Sequence, residues 1–140
     1  MFSFFKDKSR QNQVRELLDG FQDGFSIEQK AAITRYMLGI AKCTGHINNK
    51  EEEYIENTAL MLGFQMNDPA LIISLNQGVG IMIECLKVLS IAQKMWIVVS
   101  VRELLQINGK IDDVKFQYAS KILGYIGVTD EILSKIQNLK

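Results

Sequence analysis

The chain has 140 residues, with 16 basic and 16 acidic side chains, 47% hydrophobic residues and 23% charged ones. These values describe one folded domain with a core of its own, and two cysteines exclude a disulfide scaffold. Zero net charge leaves no electrostatic footprint for nucleic acid, and a single histidine, His46, excludes a multi-histidine metal centre.

The N-terminal stretch Met1-Phe2-Ser3-Phe4-Phe5-Lys6 is apolar but lacks the long core and small-residue cleavage site of a signal peptide. It reads as a strap that packs on the domain, with Phe2, Phe4 and Phe5 as the one place for membrane contact. No run of 18 apolar residues occurs, because Asn76, Gln77, Glu84, Lys87, Gln93 and Lys94 interrupt the most apolar region. Cys43 and Cys85 lie in apolar stretches and read as reduced core residues, which fits a cytoplasmic protein.

A first helix is expected over residues 11–21. Next comes Ser26-Ile27-Glu28-Gln29, a capping box in which the serine accepts from an orphan amide and the glutamine reaches back. The helix it opens runs to about Lys42 and stops before Gly45. Asn48 or Asn49 caps the next helix, whose core face is Tyr54, Ile55, Thr58 and Leu62 and which ends at Gly63. Asn67-Asp68-Pro69 opens a further helix, with proline at the tolerated first position. A middle helix is expected over residues 80–89.

The chain then repeats itself. Residues 26–64 lie over residues 90–128 without a gap, with nine identities in 39 positions, among them Ser26/Ser90, Gln29/Gln93, Gly45/Gly109, Tyr54/Tyr118 and Gly63/Gly127. Ser90 and Gln93 form a second capping box, so a helix runs from Ile91 to about Gln106 although Met95-Trp96-Ile97-Val98-Val99 alone looks like a strand. Asp112 or Asp113 caps the next helix, with Phe116, Ile122, Leu123 and Ile126 inward, and Thr129-Asp130-Glu131 opens the last. The expected fold is all-α, with seven or eight helices in two duplicated halves packed about a pseudo-twofold axis. The whole chain is one domain: residues 1–25 form an N-terminal segment and helix, 26–69 the first repeat and 90–130 the second.

Chemistry-bearing residues are sparse. Each half joins its helices through a glycine, an isoleucine and then oxygen-bearing side chains, which nominates Asn48, Glu51, Asn108, Asp112 and Asp113 as donors to a divalent cation. The plainer reading makes the same residues helix caps. The run Glu51-Glu52-Glu53 with Glu56 reads as a solvated first turn that complements the helix dipole. Glu84, among aliphatic residues, reads as a surface stripe; an enzyme would need it as a buried acid. Cys43 and His46 are three apart, but Gly45 ends the helix between them, and no orienting third group follows. Trp96, Tyr36, Tyr54, Tyr118, Tyr125, Met37, Met61, Met82 and Met95 read as core or subunit-interface residues. There is no phosphate-binding glycine loop and no serine-hydrolase or zinc-protease motif.

The duplication and the two helix–glycine–isoleucine–helix loops resemble the TerB-like family of small all-helical domains, first associated with bacterial tellurite-resistance operons. The resemblance covers residue 27 to the C-terminus. The family's hallmark in each half is an aspartate–glycine step, an aliphatic residue two positions on, and an acid further along. The first loop keeps Gly45, Ile47 and Glu51 but has Thr44 in place of the aspartate; the second keeps Gly109 and Ile111 but has Asn108 for the aspartate and Lys115 for the acid. The resemblance implies a non-enzymatic, cytoplasmic protein-interaction module of a stress response. Its protein partner is unspecified, homo-oligomers are compatible with it, and no cofactor is expected other than a divalent cation, which the family's acids are suggested to bind. The alternative is a divalent-cation sensor built on the two loops.

Overall fold

The computed structural model describes residue 15 and residues 17–139. The Phe2, Phe4 and Phe5 cluster and the greater part of the expected first helix lie outside the described residues. From Leu18 to Gly24 the chain runs in turns rather than continuing the helix to residue 21, because Gly20 adopts a φ of 91°.

Seven α-helices follow, with no strand among the described residues: α1 (Ile27–Lys42), α2 (Asn49–Met61), α3 (Pro69–Leu75), α4 (Val79–Lys87), α5 (Ile91–Gln106), α6 (Asp113–Tyr125) and α7 (Asp130–Gln137). The helix expected over 80–89 is α4, which begins one residue earlier and ends two earlier. The strand-like run from Met95 is helical, and every residue from Met95 to Arg102 is buried. A helix sealed on all sides carries apolar residues all round, which hides its period.

Both capping boxes form. Gln29 and Gln93 each donate a backbone N–H to the cap serine hydroxyl at 3.1 Å, and their side-chain oxygens accept from Ser26 and Ser90. Each glutamine amide then reaches the segment that precedes the other capping box: Gln29 Nε2 donates to the Cys85 carbonyl at 3.5 Å, and Gln93 Nε2 to the Asp23 carbonyl at 3.1 Å. One residue type thus starts a helix and anchors it against the neighbouring unit.

Helices α1 and α5 are in contact at the centre; α1 also packs on α2, α3, α4 and α6, and α5 on α2, α6 and α7. The core between them holds Tyr36, Met37, Ile40, Trp96, Ile97 and Leu104, with Ile55, Ala59, Leu123 and Ile126 from α2, α6 and its end. Burial of each such large side chain contributes about 1.5–3 kcal/mol. The Tyr36 hydroxyl, fully buried, donates to the Ala119 carbonyl at 2.5 Å and ties α1 to α6.

The boundaries of the two helix pairs follow one offset. α1 and α5 are both 16 residues long, α2 and α6 both 13, and each second copy starts 64 positions after the first. Both pairs leave through the same turn: Phe64 donates to Ala59 at 2.8 Å and Val128 to Leu123 at 2.9 Å, after Gly63 and Gly127 at positive φ.

Candidate functional site

The loops between α1 and α2 and between α5 and α6 meet. Asn48 Nδ2 donates to Asn108 Oδ1 at 3.0 Å, and Lys115 Nζ donates to Glu51 Oε2 at 2.6 Å. Three of the five nominated oxygen donors, Asn48, Glu51 and Asn108, therefore take part in contacts between the two loops, whereas the Asp112 side chain bonds only the start of its own helix. Asp113 is exposed in the first turn of α6, and no contact joins it to this group.

Local sequence fixes each position. Asn48 rather than Asn49 is the cap of α2: its Oδ1 accepts from Glu51 N at 2.9 Å, while Glu51 Oε1 accepts from Asn48 N at 3.2 Å. This is a third capping box, asparagine with glutamate, and it fixes the Glu51 rotamer. Asp112 rather than Asp113 caps α6, with Oδ1 accepting from Val114 N at 2.9 Å and Lys115 N at 3.1 Å.

Glu51 is not part of a solvated first turn. It is 2% exposed, while Glu52 and Glu53 point outward. Its Lys115 partner is half-buried, with 13% of its side chain exposed. An ammonium at 2.6 Å compensates the carboxylate that the packing of α2 forces inside. Cys43 sits close by: burial pushes its thiol up, the Lys115 ammonium opposes this, and the Asp112 and Glu51 carboxylates add to it.

This donor set, as arranged, does not fit a hard cation, which takes six to eight oxygens. Both Glu51 oxygens are engaged, one by a backbone amide and one by an ammonium, and Asp112 Oδ1 accepts two amides. A cation at Glu51 must first displace Lys115. Among the described residues no three His, Cys, Asp or Glu side chains converge as a metal-sized group.

The other nominated groups stay apart. His46 is exposed and Cys43 half-buried, with Gly45 at a φ of 105° ending α1 between them. Glu84 is exposed on α4, as its surface-stripe reading has it. Both cysteines are free and half-buried rather than core residues. Of the aromatic and methionine set, Trp96, Tyr36, Met37, Met82 and Met95 are core, whereas Met61 and Tyr125 are more than half exposed.

A second polar group was not legible from the chain. The Arg15 guanidinium bonds Glu103 Oε1 at 2.6 Å and Ser100 Oγ at 3.0 Å, and stacks 5.2 Å from the Trp96 ring. The Tyr54 hydroxyl donates to the same Glu103 oxygen at 2.7 Å, and burial pushes this phenol up, with the carboxylate adding. A cleft of about 460 Å³ opens beside it, lined by Asp19, Gln22, Met61, Trp96 and the Arg15–Glu103 pair. The only signal was a lone acid, Glu103, inside an otherwise sealed helix. Its charge is spent on Arg15 and Tyr54, so the group braces the N-terminal segment against α5 and offers no activated nucleophile.

No family model matches the chain, and neither a curated protein nor a solved structure is significantly similar to it.

Proposed function

We propose that the chain is a non-enzymatic, cytoplasmic protein-interaction module of the TerB-like kind, made of two copies of one helical unit and working in a stress response such as tellurite resistance. The duplication is supported by the common 64-residue offset of the helix pairs and by crossed contacts that obey it. Tyr54 reaches Glu103 from the first half, and Tyr118 reaches back over Gly39, the position 64 before Glu103. Glu51 and Lys115 are themselves 64 apart and touch, as equivalent residues do on a twofold axis.

The observation that carries the module reading over the cation sensor is the Glu51–Lys115 pair. Where a sensor needs a second acid, this chain carries a fixed internal cation. The loops are then a clasp between the halves, and the working surface lies elsewhere.

Thermal melting in chelator, then with Ca²⁺, Mg²⁺, Mn²⁺ and Zn²⁺, tests this. A cation at 100 times its dissociation constant stabilises a protein by about 2.7 kcal/mol, a rise of roughly 5–15 °C for a domain of this size. A flat response across the panel is expected. A clear rise with one metal that Glu51→Gln abolishes would reinstate the sensor.

A further inference from the structure

We infer that Arg15 and residues 17–23 form a hinged strap, latched on α5 by Arg15, which detaches about Gly24 while the helices stay folded and so uncovers the Trp96 ring. The backbone of the strap bonds only to itself. Leu18 N donates to the Arg15 carbonyl at 3.2 Å, Phe21 N to the Leu18 carbonyl at 2.9 Å and Asp23 N to the Gly20 carbonyl at 3.1 Å. Among the described residues, no backbone–backbone hydrogen bond joins the strap to a helix. Single turns of this kind do not persist alone, so side chains keep the strap in place. Leu18 is fully buried, and Phe21 is half-buried against the core. The Gln93 amide donates to the Asp23 carbonyl, and the Arg15 guanidinium bonds Glu103 and Ser100 while lying over Trp96.

The fit beneath the strap is loose. The cleft of about 460 Å³ opens between Asp19 and Gln22 on the strap and Met61 on α2 and Trp96 on α5. Groups that face such a gap lose dispersion contacts on that side. The latch also works partly against itself: Arg15 Nη1 is buried without a hydrogen-bond partner, which disfavours the closed state. Segments held by few buried contacts open at a lower free energy than the whole domain unfolds.

The hinge lies where it spares the helices. Gly24 has a φ of 89°, a conformation that glycine adopts without strain. Two residues on, Ser26 and Gln29 close the capping box of α1, so rotation at Gly24 leaves that helix start intact. Phe25, buried and edge-on to Trp96 at 5.8 Å, lies on the helix side of the hinge and stays in place.

Opening changes the surface at one site. Trp96 is 1% exposed when the strap is closed. Without Arg15 over it, the ring becomes the floor of a groove between Met61 and Glu103, and the Glu103 carboxylate keeps only the Tyr54 hydroxyl. The strap thus conceals an aromatic and acidic surface until Arg15 lets go. This inference goes beyond the interaction-module reading and does not use the loops, so the metal panel leaves it untouched.

Native-state hydrogen exchange at single amides tests it. Leu18 and Phe21 report the strap, and Ile97 and Val98, buried in α5, report global unfolding. In the wild type, Leu18 and Phe21 should be protected yet exchange at least about tenfold faster than Ile97 and Val98. Arg15→Gln should speed Leu18 and Phe21 by about 10- to 100-fold, the equivalent of losing a hydrogen bond between charged groups. Tyr36→Phe loosens α1 from α6 and should speed Ile97 and Val98 about fivefold while leaving Leu18 and Phe21 unchanged. Leu18 and Phe21 rates that match Ile97 and Val98 in the wild type and follow them in Tyr36→Phe overturn the inference, because the strap then leaves only when the domain unfolds. Leu18 and Phe21 rates indifferent to Arg15→Gln overturn it as well, because Arg15 is then no latch. The wild type and Tyr36→Phe decide the matter if Arg15→Gln fails to fold.

Discussion

Lys115 Nζ lies 2.6 Å from Glu51 Oε2, and the two residues are 64 positions apart, the offset that relates α1 to α5 and α2 to α6. Each holds the same place in its helix, the third residue after the cap. Two identical charges at such a place would repel, so opposite signs make the contact self-sufficient. The cap geometry of Glu51 and the reach of a lysine together turn two helix starts into one clasp.

Asp112 is expected to act as a cap alone. Asp112→Ala removes the acceptor for Val114 N and Lys115 N and should lower stability by about 1 kcal/mol. Urea unfolding in chelator and with added Ca²⁺ or Mg²⁺ should give the same loss. A loss that appears only with metal present would identify Asp112 as a ligand.

Two helical glycines should respond oppositely to alanine. At Gly39 an added Cβ would lie 2.6 Å from the Tyr118 hydroxyl oxygen and 3.1 Å from the ring carbon bearing it. At Gly124 it would meet nothing within 4 Å. Gly124→Ala should therefore stabilise by about 0.5–1 kcal/mol through helix propensity. Gly39→Ala should destabilise by about 1–3 kcal/mol through overpacking. Tyr118→Phe in the Gly39→Ala background should recover part of that loss, and no recovery would place the strain elsewhere.

Much of the architecture is written locally. Ser26 with Gln29 and Ser90 with Gln93 are short-range signals, and they set the starts of α1 and α5 to the residue. The inward faces of α2 and α6 were equally readable from their spacing. What escaped depends on distant partners. The burial of Glu51 needs Lys115 from the other half, and nothing in Glu51-Glu52-Glu53 separates the first acid from the other two. The choice of Asn48 over Asn49 rests on Glu51 reaching back, a capping box with asparagine in place of serine. Met61 and Tyr125, at the ends of α2 and α6, have helical spacing but are left 52% and 53% exposed. The exposure of Ile72, Ile73 and Ile81 on α3 and α4 was not readable either, because a sequence does not say which apolar faces lack a partner within the chain.

Stability should fall steeply at alkaline pH. Burial holds the Tyr36 phenol well above the ordinary value of 10.0 and pushes Tyr54 up as well, with the Tyr118 and Glu103 charges adding respectively. Above the ordinary value the unfolded chain loses these protons while the folded chain keeps them. The contribution is therefore complete below about pH 10 and is lost above it, by up to about 1.4 kcal/mol per pH unit for each phenol. Urea midpoints from pH 8 to 11 should show the fall. Tyr36→Phe should cost about 1 kcal/mol at pH 7, for the bond to Ala119, and make the alkaline decline shallower. An unchanged decline would exclude Tyr36 as its source.

The clasp itself is tested most directly by a double-mutant cycle on Glu51→Gln and Lys115→Met, followed by urea unfolding. Either change alone should cost about 3 kcal/mol, because each removes one partner of a buried pair, and the glutamine keeps the cap. The double variant should cost no more than either single one, a coupling of at least about 3 kcal/mol between the two loops. Single costs that add within about 0.5 kcal/mol would contradict the clasp and return both loops to being independent caps.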